Sequence, residues 1–168
     1  MSSIFNPLML ALFRIPWVKE RWQKNFNALE STEIPWTPLS KPLSECKIAL
    51  LTTGGVHLKD DVPFDMEDED GDSSYRKIPS DTLPDDLMIT HDYYDHRDAD
   101  QDINLVLPVE PLETLQEQKL LGESATFFYS FMGHIAGPHL NTLVTQTAKE
   151  VAQSLKHDNV DIAFLVPA

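Results

Sequence analysis

The sequence predicts an α/β protein: a small, mainly parallel, Rossmann-like sheet with flanking helices, plus an N-terminal helical extension. Three observations predict it. Lys47 to Thr52 reads Lys-Ile-Ala-Leu-Leu-Thr, a nearly continuous apolar run that suits a strand buried on both faces. Val160 to Val166 is a second run of that type. Between them, Pro138 to Lys156 places Leu140, Leu143, Val144, Thr147, Val151 and Leu155 mainly on one helical face. Strand, helix, strand in that order is the signature of a parallel crossover.

The elements follow in chain order. Asn6 is a good N-cap and Pro7 suits a first helical position. Pro16 ends or kinks that helix. Val18, Trp22, Phe26 and Leu29 then recur at helical spacing, so a second amphipathic helix is expected. It either docks on the domain or serves as a docking arm for a partner. Pro35, Pro38 and Pro42 mark an extended linker, so residues 1–45 form the extension and 46–168 the α/β domain.

Thr53-Gly54-Gly55 ends the first buried strand. Asp60 to Asp72 is mostly acidic and reads as a solvated loop. Leu87 to Thr90 suggests a short strand, and Leu112 to Leu120 a helix that Gly122 ends. Thr126 to Met132 is aromatic and strand-like, closed by Gly133, and Asn159 breaks the long helix. The expected core includes Ile48, Leu50, Leu143, Val151, Ile162 and Leu165.

Composition narrows the function classes. The 168 residues include 13 Lys plus Arg against 27 Asp plus Glu, a formal net charge of −14. Such an excess opposes nucleic-acid backbones and anionic membrane surfaces. The apolar run Pro7 to Ile15 is too short for a membrane span and lacks the features of a secretory signal. A single cysteine, Cys46, excludes an intrachain disulfide framework and a Cys-rich zinc site. The reading is a cytoplasmic protein in a reducing compartment. Cys46 starts a strand, away from where ligands collect in open α/β sheets, and reads as a bland thiol.

Three segments could carry chemistry. Gly54 and Gly55 follow a strand end, where ligands bind in open sheets, although a plain turn fits equally. His91 to Asp102 holds two imidazoles and five carboxylates in twelve residues. It reads as a polar loop braced by Arg97, as an active-site wall with an imidazole acid or base whose pKa the carboxylates raise, or as a metal site using His91 and His96. Phe131-Met132-Gly133-His134 again sets a glycine and a functional group after a strand. The catalytic candidates are His91 and His134. The substrate-binding candidates are Gly54, Gly55, Asp95 and Gly133. All six are expected to converge at one end of the sheet.

Several stretches resemble the selenoprotein B component of the glycine, sarcosine, betaine and D-proline reductase family, in its shorter members. They are Lys47 to Gly55, His91-Asp92-Tyr93-Tyr94-Asp95, Leu107-Pro108-Val109 with the helix after it, Phe128-Tyr129-Ser130, and Ala148 to Ala168. Cover runs from about Lys47 to the end, with Met1 to Glu30 outside it. The resemblance implies a reductase subunit in which a selenolate or thiolate displaces the amine of a small-molecule substrate. It implies companion subunits, one with a pyruvoyl group, and a small selenoprotein or thiol as redox partner. In the family, the Sec or Cys lies just beyond the strand corresponding to Val160 to Val166. It is therefore expected after Ala168, followed by a helix. Either a selenocysteine codon was read as stop, or the chain is a short non-catalytic paralogue; the buried character of the last strand favours the first. The rival function is a non-catalytic acidic module that binds a metal or a basic partner.

Overall fold

The computed structural model describes residues 12, 15–25 and 37–168. The proposed helix cap at Asn6 and Pro7, the positions Phe26 and Leu29, and Pro35 lie outside the described residues. The chain divides into two units, Met1–Ser40 and Lys41–Ala168. In the first, helix α1 (Pro16–Asn25) opens on Pro16, whose ring presets helical geometry and lacks only a donor that the first turn does not need. Trp17 is 65% exposed.

The second unit is built on a four-stranded sheet. Its strands are β1 (Ile48–Thr52), β3 (Tyr75–Pro79), β5 (Phe127–Phe131) and β6 (Ile162–Val166), in the order β3-β5-β1-β6. β1 pairs in parallel with β5 and β6, and β3 pairs antiparallel with β5. Strands β2 (Val56–Leu58) and β4 (Leu87–Ile89) form a separate antiparallel ribbon. Thus the apolar runs predict the parallel part correctly. β2 and β3 escape the pattern, since one is three residues long and the other carries Arg76, Lys77 and Pro79 on a sheet edge.

Side chains alternate across a strand, so the sheet has two distinct faces. Ile48 and Leu50 of β1, Ile78 of β3 and Phe128 of β5 pack with Val56, Leu87 and Ile89 of the ribbon. Val109 and Leu112 of helix α2 (Val109–Glu117) complete this core. That helix ends with Lys119 in the left-handed region (φ 59°), and Gly122 instead passes against the Cys46 backbone.

The other face carries the crossover. The expected single helix is interrupted: α3 (Gly137–Thr142), a π-helical turn (Leu143–Thr147) and α4 (Ala148–His157). Thr145 Oγ1 donates to Asn141 O at 2.7 Å, an alternative partner that accompanies the widened turn. Val151 is 2% exposed, but Leu143 is only half-buried.

The expected burial of Leu165 is corrected, while β6 lies beside β1 as expected. It pairs with β1 along its whole length but forms the sheet edge. Phe164 is 53% and Leu165 69% exposed, so Leu165 lies outside the core and Ile162 is half-buried.

Candidate functional site

The carboxyl ends of β1, β5 and β6 gather around one turn. Thr52 Oγ1 accepts the Gly54 N–H at 2.9 Å and curls the chain after β1. Gly55 sits at φ +69°, its N–H donates to Phe131 O at 3.0 Å, and its carbonyl accepts the Thr90 N–H at 2.9 Å. A Cβ here would meet Thr90 O at 2.5 Å, so position 55 requires glycine. Thr53 N–H donates to Val166 O at 3.2 Å, and Thr53 Oγ1 accepts the Ala168 N–H at 3.0 Å. Ala168 is thereby seated at the same edge.

His91 leaves β4 and enters this edge, 3% exposed. Its Nε2 faces the Gly133 N–H at 3.0 Å and its Nδ1 the Tyr93 N–H at 3.1 Å. A neutral imidazole has one lone pair, so it accepts only one of these; a charged ring would oppose both. Burial first, then the nearby His96 and His134, push its pKa down to about 4. This overturns the expectation that neighbouring carboxylates raise it. At neutral pH His91 is an uncharged strut between the β4 and β5 exits.

His134 is half-buried and more open. Its Nε2 lies 2.9 Å from Glu69 O, and its ring stacks on Tyr93 with centroids 3.9 Å apart and planes 19° apart. Tyr94 packs edge-on against His91 at 4.7 Å and donates its hydroxyl to Gly54 O at 3.0 Å. Burial, then Asp100, push the Tyr94 hydroxyl up to about 12, so it stays a donor. Contacts therefore link Gly54, Gly55, His91, Gly133 and His134 into one cluster. Thr53, Tyr93 and Tyr94 lie within the sequence motifs but carry no expected site role; two adjacent tyrosines beside a histidine are the signal that could have assigned one.

Two candidates are engaged differently. Asp95 grips Arg97 through both carboxylate oxygens at 2.6 and 2.7 Å, and His96 pairs with Asp100 at 2.9 Å. Among the described residues no group of three or more His, Cys, Asp or Glu side chains is placed to hold a metal ion. Among those residues His91 and His96 have no third ligand of that kind.

The acidic segment is also more than a solvated loop. Asp72 accepts the Asp65 and Ser74 N–H groups at 3.0 and 2.7 Å, and Asp68 pairs with His139 at 3.0 Å. Phe64 is 3% exposed under the Arg76 guanidinium, 4.2 Å from its ring. Cys46 is fully buried before β1, at the opposite end of that strand, with Sγ 3.4 Å from Pro42 O.

No helix among the described residues is long and apolar enough to cross a membrane. No solved structure matches the chain. The chain is 36% identical over 130 residues to the D-proline reductase subunit gamma of Acetoanaerobium sticklandii, covering 77% of this chain and 52% of that protein. It is 32% identical over 139 residues to the glycine reductase complex component B subunit gamma of Symbiobacterium thermophilum, covering 79% and 30%. It is 28% identical over 149 residues to the betaine reductase complex component B subunit beta of Peptoclostridium acidaminophilum, covering 84% and 32%. The chain thus spans about half the length of the first relative and about a third of the other two. The profile of glycine/sarcosine/betaine reductase selenoprotein B (GRDB) matches residues 16–168. That match starts at α1, further towards the N-terminus than the motifs alone suggest. Because that match covers all but the first fifteen residues, the chain belongs to the glycine/sarcosine/betaine reductase selenoprotein B family.

Proposed function

We propose that this chain is part of the component B subunit of a cytoplasmic reductase that cleaves a carbon–nitrogen bond in an amino acid or an N-methylated relative. The reactive selenocysteine or cysteine follows within a few residues of Ala168. One observation carries this: Ala168 lies on the edge where β1 and β5 end, bonded to Thr53, and a Cβ built on Gly133 would come within 3.1 Å of His91 Nε2 and 3.2 Å of Ala168 O. A chalcogen soon after Ala168 would start from this edge, beside Gly133 and His91.

In this reading the selenolate or thiolate attacks the carbon that bears nitrogen. A carbon–chalcogen bond forms, the C–N bond breaks, and the electron pair leaves with nitrogen, which takes up a proton. A small selenoprotein or dithiol then supplies two electrons, releases the reduced product and is itself oxidised. For primary or secondary amines, a companion subunit's pyruvoyl group would supply an electrophilic carbonyl that this chain does not itself hold. This chain's part is to shape the edge. Gly54 and Gly55 let the turn after β1 pack tightly against Tyr94 and the β4 exit, Gly133 leaves the exposed side of the edge uncrowded, and His91 holds the β4 and β5 exits together without charge. His134, the more open imidazole, moves the proton. Asp95 fixes Arg97 at the adjoining turn.

The test is reconstitution of the native gene product with its companion subunits. Thiol-dependent amine release from D-proline, glycine, sarcosine or betaine is expected, with His134→Gln lowering kcat about 10²-fold. No release from any of the four contradicts the reading.

A further inference from the structure

The segments Asp68–Ser73 and His134–His139 are more than sixty residues apart in sequence, yet they meet repeatedly. Glu69 O accepts from His134 Nε2 at 2.9 Å, and Asp70 O accepts the Ala136 N–H at 2.8 Å. Gly71 forms an isolated bridge with Ile135. Asp68 Oδ2 meets His139 Nε2 at 3.0 Å, and Ser73 Oγ lies 3.4 Å from His139 Nδ1. Gly71 (φ +86°) makes the approach possible, because any Cβ there would collide with His134 O.

These contacts fix more than a loop. A carbonyl only accepts, so His134 Nε2 carries a proton, and in the neutral ring Nδ1 then holds the lone pair. Among the described residues Nδ1 has no hydrogen-bond partner. The stack on Tyr93 sets the plane of the ring, and the Glu69 carbonyl sets its rotation.

We propose that the acidic strap Asp68–Gly71 is a positioning element for His134, holding its Nε2–H tautomer against Tyr93 so that Nδ1 is the nitrogen presented for proton transfer, and that the Asp68–His139 pair latches the strap. The role of Nδ1 rests on the reductase reading above; the tautomer and the latch do not. The groups facing His139 are Asp68, Asp70, Asp72 and Ser73. Those facing His134 are Tyr93, the Glu69 carbonyl and, more distantly, His91. The hydrogen bond to Asp68, helped by the acidic neighbours, raises His139 above the usual imidazole range, and the same bond holds Asp68 below the usual carboxylate range. The latch is therefore closed in mildly acidic to neutral solution. It loosens as pH rises through the raised His139 value, and again as pH falls far enough to protonate Asp68.

The experiment is histidine side-chain 1H–15N NMR on the full chain without substrate or companions. Wild type is expected to show a protected Nε2–H on His134. In Asp68→Asn and His139→Gln, exchange of that proton and of the Ala136 amide should rise together, about tenfold, as the strap opens locally. Gly71→Ala should produce the same change more strongly. An Nδ1–H tautomer in wild type, or an unprotected Nε2–H, overturns the proposal. So does faster Ala136 exchange with an unchanged His134 ring, or no change at either site in the two latch variants. The measurement needs no turnover, so failure of the reductase reading leaves it standing and failure of the strap leaves the reductase reading standing. In a reconstituted assay, His139→Gln should weaken the alkaline dependence of kcat while KM stays unchanged.

Discussion

Protonating His91 would put an N–H on both ring nitrogens, each facing a backbone amide N–H, in a nearly dry site. The unfolded chain pays no such penalty, so between the ordinary imidazole value of 6.5 and about 4 it binds more protons than the native state. Stability therefore rises with pH through that window and falls as acid is added, by up to about 3 kcal/mol from this residue. Replacing His91 with Gln should flatten the dependence of the urea midpoint on pH between 4 and 6.5. An unchanged slope would show that His91 is not the group that titrates. The sequence made His91 conspicuous but not its role: five carboxylates near in sequence point to a raised pKa, and only the fold reveals that Asp95 and Asp100 turn to Arg97 and His96 while His91 is buried. His134 was legible as the residue after a strand end and a glycine. Its orientation was not, because Glu69 and Tyr93 reach it from distant loops.

Strands with similar sequence patterns carry unequal loads. β1 is paired on both sides and Leu50 is 1% exposed, whereas β6 is paired on one side and Leu165 is 69% exposed. Leu50→Ala should cost about 3 kcal/mol, since it removes transfer energy and leaves a cavity. Leu165→Ala should change stability of the described chain by less than about 0.5 kcal/mol. Equal losses in chemical denaturation would mean that β6 is covered. Apolar runs on β1, β5 and β6 and the 3.6-residue period of the crossover made the parallel core readable. The same signal placed β6 beside β1 but not the exposure of Leu165, because an apolar run reports the tendency to be buried and not which neighbours are present. β3 was hidden by Arg76 and Lys77, which an edge strand tolerates, and the π-helical turn by threonines that fit an ordinary helix pattern equally well.

At the scale of the whole second unit, the two ends of the sheet do different work. At the amino ends, Lys47 bonds Asp158 at 3.2 Å, Lys41 bonds Asp161 at 2.7 Å, and Asp158 accepts the Thr126 N–H at 2.6 Å. These ties register β1, β5 and β6 against one another. The carboxyl ends carry the glycines, His91, His134 and Ala168. The central claim is that this edge receives a reactive chalcogen from the residues after Ala168. Cys46, fully buried, should stay unlabelled in the native protein, so alkylation reports on the new site alone. The direct measurement is intact mass and peptide mapping of the protein from its native host, alkylated under native conditions near neutral pH, with selenium detection. The account predicts a product heavier than 19.1 kDa, with the label on a Sec or Cys within a few residues of Ala168. A native product of 19.1 kDa that ends at Ala168 and takes no label would contradict it.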